Sequence, residues 1–159
     1  MRIAITFFVS YARADLRLAD AFLQRLQEQL APSKRYAYTL WRDVKILLGE
    51  RWHEEILQAL DACQLGLLLL SPAFLTSPYI AQHELQRFVG EGAKPLLPVM
   101  LKMVDFRLHA MQGLEQYQVF RLDDTKAFAE CTTDVLRHRF VERLFRQIEG
   151  RMERLYGRG

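Results

Sequence analysis

The 159-residue chain is expected to fold as an α/β domain, a parallel sheet with helices on both faces. Three observations predict this. Strand-like and helix-like stretches alternate along the chain, and the connections between them are short. Two strand stretches, "IAITFFVS" and "LGLLLLS", are nearly continuous apolar runs, as strands covered on both sides require. Half of the residues are hydrophobic (50%), which suits a single packed core at this length.

The elements follow in order. Ile3 to Ser10 forms the first strand. From Asp15 to Leu30, Leu18, Ala19, Phe22, Leu23, Leu26 and Leu30 recur at helical spacing, and Pro32 and Ser33 stop the helix. Tyr36 to Arg42 alternates more, as an edge strand does, and "DVKILLGE" is a loop turning at Gly49. Trp52, Ile56, Ala59, Leu60 and Cys63 mark a second amphipathic helix, and Leu65 to Ser71 a central strand. A third helix starts at Ser77 and Pro78, a capping hydroxyl followed by a residue with preset φ and no N–H, and ends near Gly90 or Gly92. Pro95 to Lys102 is a fourth strand, with Pro98 confining it to an edge or a bulge. Met103 to Gln118 shows no usable period, "QVFRL" is expected as a short fifth strand, and a last helix runs from about Thr133 to Leu155. Five strands favour the flavodoxin-like order 2-1-3-4-5 in one domain spanning residues 1–159. Ligands of such sheets bind beyond the strands' carboxyl ends, where the order reverses between strands 1 and 3.

Composition excludes several classes. The longest apolar run, Leu65 to Leu70, is too short to span a bilayer. The basic-then-apolar start "MRIAITFFV" lacks a small-residue cleavage site, so no secretion signal is expected. Cys63 and Cys131 form neither a metal-ligand spacing nor a disulfide framework, so a reduced cytoplasmic setting is expected. Seven arginines between Arg137 and Arg158 face three glutamates. No stacking aromatics interleave with them, so a solvated helix face is expected rather than a nucleic-acid surface. There is no G-x-G-x-x-G, no Walker-type phosphate loop, no paired histidine motif after His53 and no nucleophile elbow around Ser71. No metal or bound cofactor is expected.

Three carboxylates remain at the predicted crevice. Asp15 is either an N-cap or a functional acid, and Asp43 either a turn residue or a functional one. Glu84 lies between Ile80 and Phe88 on the apolar stripe of the third helix. A carboxylate buried without a partner is costly, so this position calls for either a pairing cation or a site.

In order and spacing, these segments resemble the bacterial branch of the TIR (Toll/interleukin-1 receptor) domain family. "FFVSYARAD" is similar to its first strand and AA loop, "LWRDVKILLGERWHEEI" to its second strand and BB loop. "LGLLLLSPAFLTSPYIAQHEL" is similar to its third strand and the helix carrying its Glu-Leu pair, "PLLPVML" to its fourth strand. The resemblance implies an enzyme that cleaves the nicotinamide–ribose bond of NAD+, with Glu84 as the catalytic acid residue and NAD+ as substrate rather than cofactor. It implies nucleotide contacts from Ser10, Tyr11 and Arg13, and pocket positions for Trp41, Asp43 and Tyr79. Many relatives place Trp four residues before the glutamate; here Ile80 stands there, with Tyr79 one residue earlier. The resemblance further implies self-association through the loop residues Lys45, Ile46, Leu47, Leu48 and Gly49, and a role in bacterial immune or antiphage defence. The product it implies is ADP-ribose or a cyclic ADP-ribose. Two other readings stay open: a non-catalytic adaptor acting through TIR–TIR contacts, and a different nucleotide N-glycosidase of the deoxyribosyltransferase kind. The chain is a whole protein or the effector domain of a longer one.

Overall fold

The computed structural model describes residues 1–43 and 48–157. Its elements are β1 (Ile3–Ser10), a 3₁₀ turn (Arg13–Asp15), α1 (Leu16–Leu30), β2 (Tyr36–Trp41), α2 (Trp52–Ala62), β3 (Leu65–Leu70), α3 (Pro72–Leu75), β4 (Leu96–Met100) and α4 (Asp134–Tyr156). The strands form one parallel sheet in the order β2-β1-β3-β4. The order reverses between β1 and β3, as expected of a doubly wound sheet.

Alternation along the strands sorts the core into two layers. Ile5, Phe7 and Val9 of β1, with Leu65, Leu67 and Leu69 of β3, face α1 and α4. There Phe22 meets Phe140 and Phe128 edge-on, with ring centroids 5.9 and 5.2 Å apart. Phe8, Leu68 and Leu70 face the other way, toward Ile56 and Leu60 of α2 and toward Ile80, Leu85 and Phe88. Ser10 is two residues beyond Phe8, so it shares this second face, and there it meets Glu84. Gly66 lets that layer close. A Cβ at this position would lie 2.7 Å from the Phe88 ring, so a bare backbone is what lets Phe88 seat the Glu84 segment against β3.

The expected fifth strand is reduced to a single parallel bridge, Val99↔Phe120. The Phe120 N–H donates to the Pro98 carbonyl and the Met100 N–H donates to the Phe120 carbonyl, each at 2.9 Å. Two features stop it from extending. After Met100 the chain leaves the ladder, with the N–H groups of Leu101 and Lys102 both donating to the Leu70 carbonyl. After Phe120 it reverses at Asp123 and Asp124, both at positive φ (53° and 60°), and the Leu122 N–H donates to the Lys126 carbonyl instead. β4, with Pro98 in it, is therefore an edge of the four-stranded sheet.

The helix expected from Ser77 is not an α-helix at Glu84. Ser77 does cap it, its Oγ accepting from the Ile80 N–H at 3.3 Å, but Ile80–Glu84 is a π turn and Leu85–Arg87 a 3₁₀ turn. Asp15 also departs from the expected cap, since its side chain makes no capping bond to α1 and turns inward. α4 begins with the Thr133 hydroxyl accepting from the Leu136 N–H. Along it, Arg143 pairs with Asp123, Arg146 with Glu142, and Arg137 donates to the Cys131 carbonyl, so these arginines are held by their own surface. Arg158 lies outside the described residues. Cys63 and Cys131 are buried and unbridged.

Candidate active site

At the carboxyl ends of β1 and β3 lies a cavity of about 470 Å³, within the roughly 300–1,000 Å³ of small-molecule clefts. One wall is the loop after β1, bearing Tyr11 and Arg13. A second is α2, with Trp52 and Ile56. The third is the segment bearing Ser77, Tyr79, Ile80 and Glu84, and Asp43 closes the side nearest β2.

The π turn explains how a carboxylate in an apolar stripe reaches this cavity. The Leu85 N–H donates to the Ile80 carbonyl five residues back, which inserts one residue into the helical repeat. In an α-helix, positions five apart point about 140° from one another at 100° per residue. The wider turn brings Tyr79 and Glu84 round to the same wall, and both line the cavity, while Leu85 and Phe88 remain buried against the sheet.

Glu84 is 8% exposed, and its Oε1 accepts a hydrogen bond of 2.5 Å from the Ser10 hydroxyl. Its pKa is pushed up from 4.5 to about 7. Burial is the largest cause, since it penalises the charged form. The Ser10 hydrogen bond opposes it, Asp43 adds repulsion, and Arg13 pulls back. The carboxyl is therefore poised near neutrality, and a cation in the cavity favours its ionised form.

Asp43 ties the two loops together. Its Oδ2 lies 3.1 Å from Arg13 Nη2, and its Oδ1 accepts from the Tyr11 hydroxyl at 3.1 Å. Arg42, which pairs with Asp20, lies over the Tyr11 ring at 5.2 Å from its centroid. Behind this loop the Ser71 hydroxyl donates to Asp15 Oδ2 while accepting from the Phe74 N–H. Lys102 Nζ forms an ion pair with Asp15 Oδ1 at 2.9 Å, though no hydrogen bond reaches that oxygen among the described residues. Asp15 thus fastens the loop after β1 to the ends of β3 and β4, a supporting role behind the cavity.

Of the residues expected at the site, Tyr11, Arg13, Asp43, Tyr79 and Glu84 line the cavity. Ser10 is 1% exposed and stands behind Glu84, so it acts on the carboxylate. Trp41 is not on the lining; half-buried, it stacks on Phe8 with centroids 5.2 Å apart and planes 19° apart. Lys45, Ile46 and Leu47 lie outside the described residues. Leu48 is fully exposed and Gly49 holds a φ of +90°, the left-handed turn expected of it.

The sequence did not single out Trp52 as a site residue, because at helical spacing it joins the stripe of Ile56 and Leu60, yet it is 52% exposed on the cavity wall. Nor did it bring His53 to Tyr79. Those residues are distant in sequence, but His53 Nδ1 lies 2.7 Å from the Tyr79 hydroxyl, and the His83 ring packs 4.7 Å from the Tyr79 ring. Among the described residues no group of three or more His, Cys, Asp or Glu side chains is placed to hold a metal, and no helix is long and apolar enough to cross a membrane.

The chain matches the family model described as TIR domain over residues 7–132, a span that includes every residue lining the cavity and ends just before α4. It is also similar to a protein of Sinorhizobium fredii (strain NBRC 101917 / NGR234) described as uncharacterized protein y4lF. The two are 33% identical over 110 residues, which cover 67% of this chain and 32% of the relative. The chain spans about a third of that relative's length.

Proposed function

From the premise that the chain belongs to the TIR domain family, we propose that it is an NAD+ glycohydrolase with Glu84 as its catalytic residue. The observation that carries this reading is Glu84 itself: a buried carboxylate, held by Ser10, on the wall of a cavity of small-molecule size.

The chemistry needs few groups. Glycosidases generally use two carboxyl groups, one of them to protonate the leaving oxygen. The nicotinamide of NAD+ is already cationic and leaves as a neutral molecule, so no general acid is needed. What remains is to orient the ribose and to stabilise the positive charge that spreads over C1′ and the ring oxygen as the C–N bond lengthens. An ionised Glu84, itself only 8% exposed, does this through fixed electrostatics. The cationic substrate counteracts the cost of ionising Glu84, so binding prepares the carboxylate. Arg13, whose side chain is 80% exposed and paired only at the rim with Asp43, is positioned for an anionic group such as the diphosphate. Water then adds at C1′ and loses a proton, giving ADP-ribose; an adenine nitrogen in place of water gives a cyclic product. TIR domains generally self-associate, and in this reading assembly raises activity, as suits a bacterial defence effector that consumes NAD+ on triggering.

The test is nicotinamide release from NAD+ as a function of protein concentration, with Glu84→Ala and Glu84→Gln beside the wild type. Specific activity should rise with concentration, and both variants should lose about a hundredfold or more. Equal turnover in Glu84→Ala removes the catalytic role. A second reading, an adaptor domain, is favoured by Leu48, fully exposed next to the turn at Gly49. A protein that oligomerises when concentrated but never releases nicotinamide supports that reading instead.

A further inference from the structure

We infer that Lys102 is a positioning residue: through its ion pair with buried Asp15 it seats the turn that aims Arg13 at an anionic group of the ligand. That this ligand is NAD+ rests on the glycohydrolase reading; the clamp between Lys102 and Asp15 does not.

Arg13 and Asp15 belong to one turn. The 3₁₀ turn Arg13–Asp15 is closed by the Asp15 N–H, which donates to the Ala12 carbonyl at 2.9 Å, so a movement of either residue carries the other. Their side chains differ sharply in exposure, 80% for Arg13 and 1% for Asp15. Two groups meet the buried carboxylate. The Ser71 hydroxyl donates to Oδ2, and Lys102 Nζ pairs with Oδ1 at 2.9 Å. Both partners are themselves anchored. Ser71 caps α3, and the Lys102 N–H donates to the Leu70 carbonyl at the end of β3 at 3.0 Å. None of the three residues lines the cavity.

The two charges of this clamp do not have the same alternatives. The Lys102 side chain is 45% exposed, so its ammonium is solvated with or without Asp15. The carboxylate is closed off from water, and a buried charge that loses its partner is strongly destabilising. Ser71 is a neutral donor and does not cancel that charge. Without the ammonium, the carboxylate gains most by moving toward solvent, and the turn moves with it. Arg13 is then held only by Asp43, at the rim, where such a pair contributes little. Glu84 is held separately, by Ser10 of β1 and by the burial of Leu85 and Phe88.

This separation has a kinetic signature. A contact to an anionic group remote from the reacting bond is made equally in the ground and transition states, so losing it raises KM and leaves kcat. Lys102→Met should raise KM for NAD+ about tenfold while kcat stays within about threefold of wild type. Lys102→Arg, which keeps the charge, should hold KM within about threefold. A general loosening of the domain would lower kcat as well.

The deciding experiment uses ADP, which carries a diphosphate and has no nicotinamide bond to cleave, titrated calorimetrically at low ionic strength. Arg13→Ala and Lys102→Met should each weaken ADP about tenfold, and Lys102→Arg less than about threefold. In an Asp15→Asn background no buried charge needs the lysine, so adding Lys102→Met should change affinity less than about twofold. A Lys102→Met chain that fails to fold while the double variant folds reports the same dependence on Asp15. Should Asp15→Asn itself not fold, the contrast between Lys102→Met and Lys102→Arg decides. ADP affinity unchanged in Lys102→Met, or an equal loss in the Asp15→Asn background, overturns the proposal. So does a wild type that binds no ADP at millimolar concentration, or an Arg13→Ala variant that binds it as wild type does. The expected pattern in a protein that releases no nicotinamide from NAD+ keeps the clamp and removes the glycohydrolase reading.

Discussion

Glu84→Gln offers a test of the site that does not depend on finding a substrate. The carboxyl titrates at about 7 in the folded chain against an ordinary value of 4.5. Between these values the native state holds a proton that the unfolded state has released. Stability therefore falls as pH rises through this window and levels off above the folded pKa. At about 1.36 kcal/mol per unit, the upward displacement corresponds to about 3 kcal/mol over the whole range, of which about 2.5 kcal/mol falls between pH 5 and pH 8. Glutamine keeps the shape and an oxygen for Ser10 but cannot ionise, so the variant lacks this loss. Urea unfolding of both proteins at half-unit steps from pH 5 to pH 8 measures it. The unfolding free energy of Glu84→Gln minus that of wild type should climb by about 2 to 3 kcal/mol across that range, whatever its sign at pH 5. Taking the difference cancels other titrating groups. A flat difference would mean that Glu84 ionises as an ordinary carboxyl, and the account of it as a buried, desolvated acid would be wrong.

Two further substitutions probe how Glu84 is held. The Ser10 hydroxyl donates to the carboxylate and so favours its charged form; in Ser10→Ala the carboxyl should titrate at still higher pH. Turnover of NAD+ should then drop several-fold near pH 7 and recover toward pH 9, whereas an unshifted pH profile would separate Ser10 from the acid. Gly66→Ala would place a Cβ 2.7 Å from the Phe88 ring, forcing that ring and the turn above it outward. About 1–3 kcal/mol of destabilisation is expected by urea unfolding, together with a loss of turnover larger than in Ala4→Gly, a strand variant far from the site. Unchanged stability and turnover would show that Phe88 does not anchor Glu84.

The parts of the fold readable from sequence are those that depend on local period and burial. β1 and β3 stood out because a strand covered on both sides must be apolar throughout, and α1 and α4 because their stripes run for several turns. The fifth strand did not form because its length depends on what its neighbours do: β4 leaves the ladder after Met100, and the chain after Phe120 reverses at two aspartates in the left-handed region. Neither event has a signature within "QVFRL". Asp15 was equally ambiguous. Its capping preference is local, but its observed partners, Ser71 and Lys102, are 56 and 87 positions away, and long-range polar pairs leave no periodic trace. The same holds for His53 and Tyr79, brought together because α2 and the Glu84 segment cover one face of the sheet.

Glu84 was visible as an inconsistency before it could be understood as a site. On an ideal α-helix it shares a stripe with Ile80 and Phe88, and a carboxylate there has either to break the packing or to find a cation. The structure does neither. An extra residue in the turn, with the Leu85 N–H reaching back to Ile80, lets Phe88 stay buried beneath the sheet's Gly66 while Glu84 rotates toward Ser10 and the cavity. A one-residue change in backbone pitch thus separates a side chain packed against the sheet from one that faces the cavity along five consecutive residues. Because the pitch sets both, the same π turn also brings Tyr79 onto the wall that Glu84 occupies. Shifts of the helical repeat therefore have to be settled before residues of this segment are matched to another chain by spacing alone.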